Sequence, residues 1–244
     1  MRIEEPAALL SVVIPTLDAA AHLPACITSV RDGARSARDA GAAVPELEII
    51  VADGGSSDDT VARAADLGAR IVTAARGRGR QLAAGADAAN GDWLLFLHAD
   101  TRLADSWLVA AVGHMNNPAN PGRAAAFRFA LDDPSRAARL VERLVAWRCR
   151  VLALPYGDQG LLISRKFYRE LGGFHADPLM EDVDLVCRIG SQRLRLLDVP
   201  ALTSADRYRR GRAGWLLRPL RNLSCLGLWF LGLPTPLIAR LYGR

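Results

Sequence analysis

Lysine is almost missing from this chain: Lys166 stands alone, and the other thirty basic residues are arginine. Together with abundant alanine, that bias fits a GC-rich genome as well as any function, so it excludes nothing by itself. Cysteine is scarce and scattered. Cys26, Cys149, Cys187 and Cys225 form no CxxC pair and have no histidine at ligand spacing. This argues against a zinc site or a disulfide framework and agrees with a reducing cytoplasm. No GxxxxGK[ST] loop occurs, and "GRGRQLAAG" carries Leu82 where a dinucleotide fingerprint needs its third glycine. P-loop and dinucleotide-binding proteins lose weight accordingly. The opening "MRIEEPAALL" is acidic and lacks a basic region leading into a long apolar run, so no secretory signal is expected.

Long uncharged runs are also rare, with one exception. From Asn222 to Ala239 no residue is charged, a length at the lower edge for a membrane span. Gly227, Gly232, Pro234 and Pro236 argue against one straight helix there, because each proline removes an amide donor. The run reads as a broken amphipathic tail, docked on the core or lying in a bilayer interface with arginines toward headgroups. Six arginines fall between Arg207 and Arg221, Arg210 among them, within a formal net charge of only +5. Such a cluster suits phosphates, nucleic acid or an anionic membrane.

What is present is rhythm. The chain has 244 residues, half of them hydrophobic, enough for a sizeable core. Four apolar runs recur, "LLSVVIP", "LEIIVAD", "ARIVTA" and "DWLLFLHAD", separated by segments of helical composition. Strand, helix, strand at this spacing predicts an α/β fold with right-handed crossovers and a mostly parallel sheet flanked by helices. The segment "SSDDTVARAADLG" predicts a helix with Ser57 or Asp58 as cap, acids in its first turn and Gly68 at its end.

The exits from these strands are polar. Thr16 and Asp18 follow the first; Asp53, Gly54, Gly55 and Ser56 the second. Arg76, Gly77, Arg78 and Gly79 follow the third, and His98 and Asp100 end the fourth, "WLLFLHAD". One such aspartate is a turn residue. Four polar exits on one sheet edge make a ligand pocket, because open parallel sheets bind ligands at their carboxyl ends. Arginines and glycine amides suit phosphate oxygens. Asp100 suits a divalent cation held between protein and phosphates.

After about residue 120 the pattern changes. "GRAAAFRFALDD" predicts a strand outside the parallel set, and "DPSRAARLVERLVAWRCRVL" a helix with Asp133 near its start. "LPYGDQGLLISRKFYRELGGF" predicts loop, short strand, short helix and a tight Gly172–Gly173 turn. In "DPLMEDVDLVCRIG", Glu181, Asp182 and Asp184 open a helix running toward Gly190. Acids in a first turn complement the helix dipole. A carboxylate there can also take a proton from an attacking hydroxyl if it faces the sheet edge.

"SVVIPTLDAAAHLPACITSV", "ELEIIVADGGSSDDT", "GDWLLFLHADT", "GDQGLLISRKFYRELGGF" and "MEDVDLVCRI" together resemble the successive motifs of family 2 glycosyltransferases with the GT-A fold, over roughly residues 9 to 206. The "HADT" variant and the short arginine-rich, apolar tail resemble a small bacterial subgroup. The resemblance implies a GT-A-like catalytic domain over residues 1–206, with a nucleotide-sugar-binding half (1–117) and an acceptor half (118–206). Residues 207–244 form the tail. It implies an inverting transfer from a nucleoside diphosphate sugar, uridine-linked, to a hydroxyl acceptor, assisted by Mn2+ or Mg2+.

By the same resemblance Thr16, Asp18 and Asp53 hold the base and ribose; Pro15, Gly55, Ser56, Arg76, Arg80 and His98 complete the expected donor site. His98-Ala99-Asp100 matches the DxD motif, whose last aspartate points to Asp100 as metal ligand. The family's "ED" pair points to Asp182 as general base with Glu181 in support. Two departures matter. His98 replaces the first DxD carboxylate, and the family's QxxRW element is absent as such. "SADRYRRG" stands in its place, offering Arg207, Arg209 or Arg210 to the leaving diphosphate.

The tail adds the expectation of a lipid-linked acceptor and peripheral contact with the inner face of the cell membrane, and no nucleic acid partner is expected. Two alternatives stay open. A non-catalytic module binding nucleotide sugars or membranes would explain His98 as a scar of lost activity. A sugar-phosphate nucleotidyltransferase would normally carry a glycine-rich, lysine-bearing loop after its first strand, and "IPTLDAAAHLP" has neither residue.

Overall fold

The computed structural model describes residues 9–209 and 214–242. The acidic N-terminal stretch before residue 9 and Arg210 lie outside the described residues. The first half alternates as its apolar runs predict: β1 (Leu9–Thr16), α1 (Leu23–Asp39), β2 (Glu46–Asp53), α2 (Thr60–Asp66), β3 (Arg70–Thr73), α3 (Arg78–Ala88) and β4 (Trp93–Phe96). Then follow β5 (Thr101–Leu103), α4 (Trp107–Met115), β6 (Ala124–Leu131), α5 (Arg136–Leu152), β7 (Leu161–Ser164), α6 (Arg165–Glu170), α7 (Glu181–Ile189), β8 (Leu194–Thr203) and α8 (Asp206–Arg209). The tail forms α9 (Gly214–Phe230) and α10 (Thr235–Tyr242).

All eight strands join one sheet in the order β3-β2-β1-β4-β7-β6-β8-β5. β1 to β4 are mutually parallel; β7 runs antiparallel to β4 and β6, and β8 is parallel to β6 but antiparallel to β5. Alternation on β1 shows why the sheet is covered twice. Val12 and Ile14 join a core with Leu23 and Ile27 of α1 and Trp107 of α4. Val13 faces the other core, with Leu82 of α3, Val183 of α7 and Ile238 of α10. Successive strand residues point to opposite faces, so a strand buried on both sides must be apolar throughout.

The fourth apolar run stops being strand at Phe96, four residues before Asp100. Leu97 to Asp100 turn away, the Thr101 amide donates to the His98 carbonyl at 3.1 Å, and β5 begins. In α5, Ser135 is the N-cap, its hydroxyl accepting from the Ala138 amide at 3.2 Å, while Asp133 holds the Ser135 amide at 2.8 Å. At α2 neither Ser57 nor Asp58 is the cap residue, yet Asp58 accepts from the Thr60 amide at 3.0 Å in the first turn.

The tail folds as a helical hairpin, turned where Gly232 takes φ 82° just before Pro234. Cys225, Leu226, Ile238 and Ala239 are buried in the second core. Among the described residues no helix is long and apolar enough to cross a membrane.

Candidate active site

The exits of β1 and β2 meet in one hydrogen-bonded knot. Asp53, buried at the end of β2, accepts from the Thr16 hydroxyl (3.0 Å), the amides of Gly55 (3.0 Å) and Ser56 (2.9 Å) and the Ser56 hydroxyl (2.5 Å). Burial works to raise its pKa, but these donors outweigh it and hold the carboxyl below its usual range. Asp18, exposed and at φ 49°, accepts from the Ser57 amide at 2.7 Å, and its own amide donates to the Ser56 hydroxyl at 2.9 Å. Gln81 of α3 donates to the carbonyls of Thr16 and Ala52. Pro15, Thr16, Asp18, Asp53, Gly55 and Ser56 thus form one loop pair whose internal acceptors are already engaged.

A neighbouring pocket gathers residues from five parts of the chain. Arg78 opens α3; His98 and Asp100 follow β4; Tyr156 and Asp158 precede β7; Asp182 opens α7; Thr203 ends β8, and Ser204 and Arg207 follow it. Arg218 and Asn222 of α9 and Tyr242 of α10 close its far side. Asp100, His98, Asp182 and Arg207 were singled out from sequence and share this pocket. Arg76 and Arg80 are exposed instead, while Arg78 between them turns inward. Arg209 is exposed and ion-paired to Asp133 at 3.0 Å and Asp206 at 3.3 Å, away from the pocket lining.

Glycine contacts explain why Arg78 is the inward arginine. A Cβ on Gly79 would stand 2.2 Å from the His175 carbonyl oxygen, so only a residue without one lets α3 abut that loop. Arg78 then pairs with Glu181, which is 1% exposed, and its Nη2 lies 3.8 Å from Asp182 Oδ2. Met180, at φ 67°, holds the left-handed turn that launches α7. A non-glycine residue there stores strain, and strain concentrates at working sites. Burial pushes the Glu181 carboxyl up despite Arg78 beside it.

Asp182 differs. It accepts from the amides of Gly157 and Val183, both at 2.9 Å. Burial opposes its charge, but Arg78 and these amides prevail and hold its pKa below the ordinary value. It is therefore ionised at neutral pH.

His98 is neutral there. Burial, then Arg78, pushes its imidazole down to about 4, and its buried Nε2 has no hydrogen-bond partner. Gly157 makes room for it: a Cβ at that position would sit 2.5 Å from His98 Nε2. Asp100 pairs with Arg207 at 3.4 Å, and its carbonyl accepts from the Ser204 amide at 3.0 Å. Among the described residues no three His, Cys, Asp or Glu side chains gather as a metal-holding group. The donor set fits a different mode. Asp100 offers carboxylate oxygen, so any cation here would depend on ligand oxygens for its remaining coordination, as magnesium commonly does.

Asp158 escaped sequence reading. It stands in the 3-10 turn Gly157–Gln159, and one of its buried oxygens has no partner. Burial, with the charges of Asp182 and Asp100, pushes its pKa up to about 6 against Arg148 and Arg78. A carboxyl whose folded pKa exceeds its unfolded value penalises folding increasingly as pH rises from about 4 to the folded value, and by a constant amount above it. Asp158→Asn is therefore expected to raise the unfolding temperature at pH 8 and leave it nearly unchanged at pH 4. Thermal unfolding at both pH values checks this, and equal shifts at both would assign Asp158 an uncharged role.

Known proteins resemble this chain in sequence and in fold. The family described as glycosyl transferase family 2 matches residues 11–140, from β1 into α5. A PGL/p-HBAD biosynthesis glycosyltransferase from Mycobacterium tuberculosis is 35% identical over 113 residues, 43% of this chain and 41% of that relative's length. Among solved structures, glucosyl-3-phosphoglycerate synthase from Mycobacterium tuberculosis, in complex with Mn2+ and uridine-diphosphate-glucose, superposes with a TM-score of 0.59. It is 21% identical, over 93% of this chain and 80% of that one. S. aureus TarS 1-349 gives 0.58 at 13% identity, covering 80% and 60%. The sheet is that of GT-A glycosyltransferases, and with more than half of its length matched the chain belongs to glycosyl transferase family 2.

Proposed function

We propose that the protein transfers a sugar, with inversion, from a nucleoside diphosphate sugar to a hydroxyl acceptor. The observation that carries this reading is one pocket holding an ionised Asp182 together with Asp100, His98, Arg78 and Arg207. The donor is taken as uridine-linked, supported by the uridine-diphosphate-glucose bound to the synthase of similar fold. Residues 1–117 then bind donor, 118–206 carry the acceptor side and base, and 207–244 form the tail. The base and ribose lie against Pro15, Thr16, Asp18, Gly55 and Ser56, with Asp53 shaping that knot; Arg76 and Arg80 stand at its exposed margin.

In this reading the acceptor oxygen attacks the anomeric carbon from the face opposite the diphosphate. The new carbon–oxygen bond forms as the bond to the diphosphate breaks. Asp182 takes the hydroxyl proton. Arg78 orients Asp182, and Glu181 holds Arg78, so the second member of the acid pair works through the arginine. Charge grows on the leaving diphosphate, where Arg207 meets it more strongly in the transition state than in the ground state; Arg209, turned outward, is the weaker candidate. A divalent cation, Mn2+ or Mg2+, would be held by Asp100 and the diphosphate oxygens and would neutralise that same charge. The "HADT" sequence substitutes an unpaired neutral imidazole, His98, for a carboxylate, offering its ring nitrogen to the sugar or a phosphate oxygen.

The acceptor is read as lipid-linked, with peripheral contact at the inner membrane face, because the tail that closes the pocket is both apolar and basic. Thermal unfolding against a panel of nucleoside diphosphate sugars, with and without Mn2+, tests the donor. A ligand at one hundred times its Kd stabilises by about 2.7 kcal/mol. One nucleotide series raising the melting temperature with Mn2+ is expected. No shift from any of them would reject the reading.

A further inference from the structure

Exposed apolar side chains are concentrated on one part of this molecule. Sixteen large ones are exposed among the described residues, and thirteen lie on α5, α9, the turn after it and α10. On α5, Leu140, Leu144, Trp147 and Val151 recur at helical spacing, with Trp147 59% and Val151 60% exposed. One side chain left in water is ordinary; a full stripe is not. Exposed Arg136, Arg143 and Arg150 run beside that stripe.

α9 packs against α5 and leaves a largely apolar face outward, with Arg221 and Ser224 among its leucines. Its pocket-facing residues include Arg218 and Asn222, while Leu216, Leu220, Leu223 and Phe230 are exposed. Solvent normally selects the reverse. Charge identifies what covers this face. No acidic residue follows Asp206 in the sequence, and among the described residues Arg221 of α9 and Arg240 of α10 are exposed beside these leucines. A second copy pairing through a two-fold axis would set these arginine borders against each other. A layer of anionic headgroups neutralises them and takes the leucines and Trp147 into the acyl boundary.

We propose that the outward faces of α5, α9 and α10 form one monotopic docking surface for an anionic lipid bilayer, which sets the pocket closed by α9 and α10 at the headgroup layer. This deepens the reading of a membrane-near acceptor by naming a second arm, α5, and the lipid charge it needs.

Sedimentation with vesicles tests it, comparing phosphatidylcholine alone with phosphatidylcholine plus phosphatidylglycerol. The full chain is expected to partition at least about tenfold more onto the anionic vesicles, and to leave them as salt rises. Trp147→Glu in α5 and, separately, Leu220→Glu in α9 are each expected to lower that partition about tenfold, from lost apolar burial and added repulsion. Both positions are exposed, so melting temperature and donor hydrolysis stay unchanged. Equal partition onto both vesicle types, or variants that bind like the parent, overturns the proposal. So does a stable dimer that Trp147→Glu dissociates without any vesicle binding. Loss of donor hydrolysis in the parent chain would instead strike the sugar-transfer reading and leave the docking result standing.

Discussion

Asp182→Asn is expected to lower turnover by about 10²- to 10⁴-fold, the usual contribution of a positioned general base. The loss falls on kcat. The amide keeps a carbonyl oxygen for the Gly157 or Val183 amide, both now 2.9 Å away, so α7 still starts at the same place. Arg78 remains paired with buried Glu181, and the donor side of the pocket loses nothing it binds with. Donor affinity, read separately by titration, is therefore expected to stay within a few-fold of the parent, in line with a group that acts only as the bond forms. Asp182 is ionised well below neutral pH, so the parent is not expected to lose rate from protonation of this group between pH 6 and 8. Single-turnover rates with saturating donor and acceptor measure the effect. Near-normal turnover by Asp182→Asn would remove it as base and shift attention to Asp158, which lines the same pocket and has a buried, unpaired oxygen.

Asp100→Ala carries the second large effect, about 10²- to 10³-fold in turnover, comparable to deleting a group that stabilises transition-state charge. Its side chain is 13% exposed and its ion-pair partner, Arg207, is half exposed, so that pair itself contributes little to folding. The Ser204 amide bonds the Asp100 main-chain carbonyl and is untouched by the substitution. Loss of rate without loss of fold is thus expected, together with loss of any stimulation by Mn2+. Assays across a Mn2+ series, with melting temperature as the control for folding, separate the two. A variant that keeps both rate and Mn2+ response would show that the cation, if used, is held elsewhere.

Much of the fold was legible because a strand buried on both faces leaves no room for polar residues. β1, β2 and β4 therefore announce themselves as apolar runs, while the edge strand β3 shows only half-buried Ile71 and Val72, and Gly41 and Gly68 follow the ends of α1 and α2. β5, α4 and β8 were not legible. β5 has three residues. β8 is half exposed, and it carries Asp198 and Pro200 beside a register shift against Phe127 and Arg128, so its pattern follows an irregular edge pairing rather than a buried strand.

The site divides in the same way. Carboxylates at strand exits stand out because nothing apolar explains them, so Asp53 and Asp100 could be named from the strand pattern, whereas Asp182 opens a helix and was named only through the resemblance to the family's "ED" pair. Choosing among Arg76, Arg78 and Arg80 required knowing that Gly79 abuts a carbonyl from a loop some hundred residues away. Asp158 depends on a short 3-10 turn and on two other carboxylates that only the folded chain brings near. The tail shows the limit most clearly. Docking on the core and lying in a bilayer interface looked like alternatives, yet one face of α9 buries Cys225 and Leu226 while another leaves Leu220 and Leu223 in water.

Calorimetric titration of uridine diphosphate into the parent and into Asp100→Ala, with and without Mn2+, bears most directly on a donor pocket built around Asp100. Saturable one-site binding by the parent that strengthens with Mn2+, and a variant whose binding is weak and indifferent to Mn2+, is the expected result. Equal affinity and equal Mn2+ dependence in both proteins would contradict it.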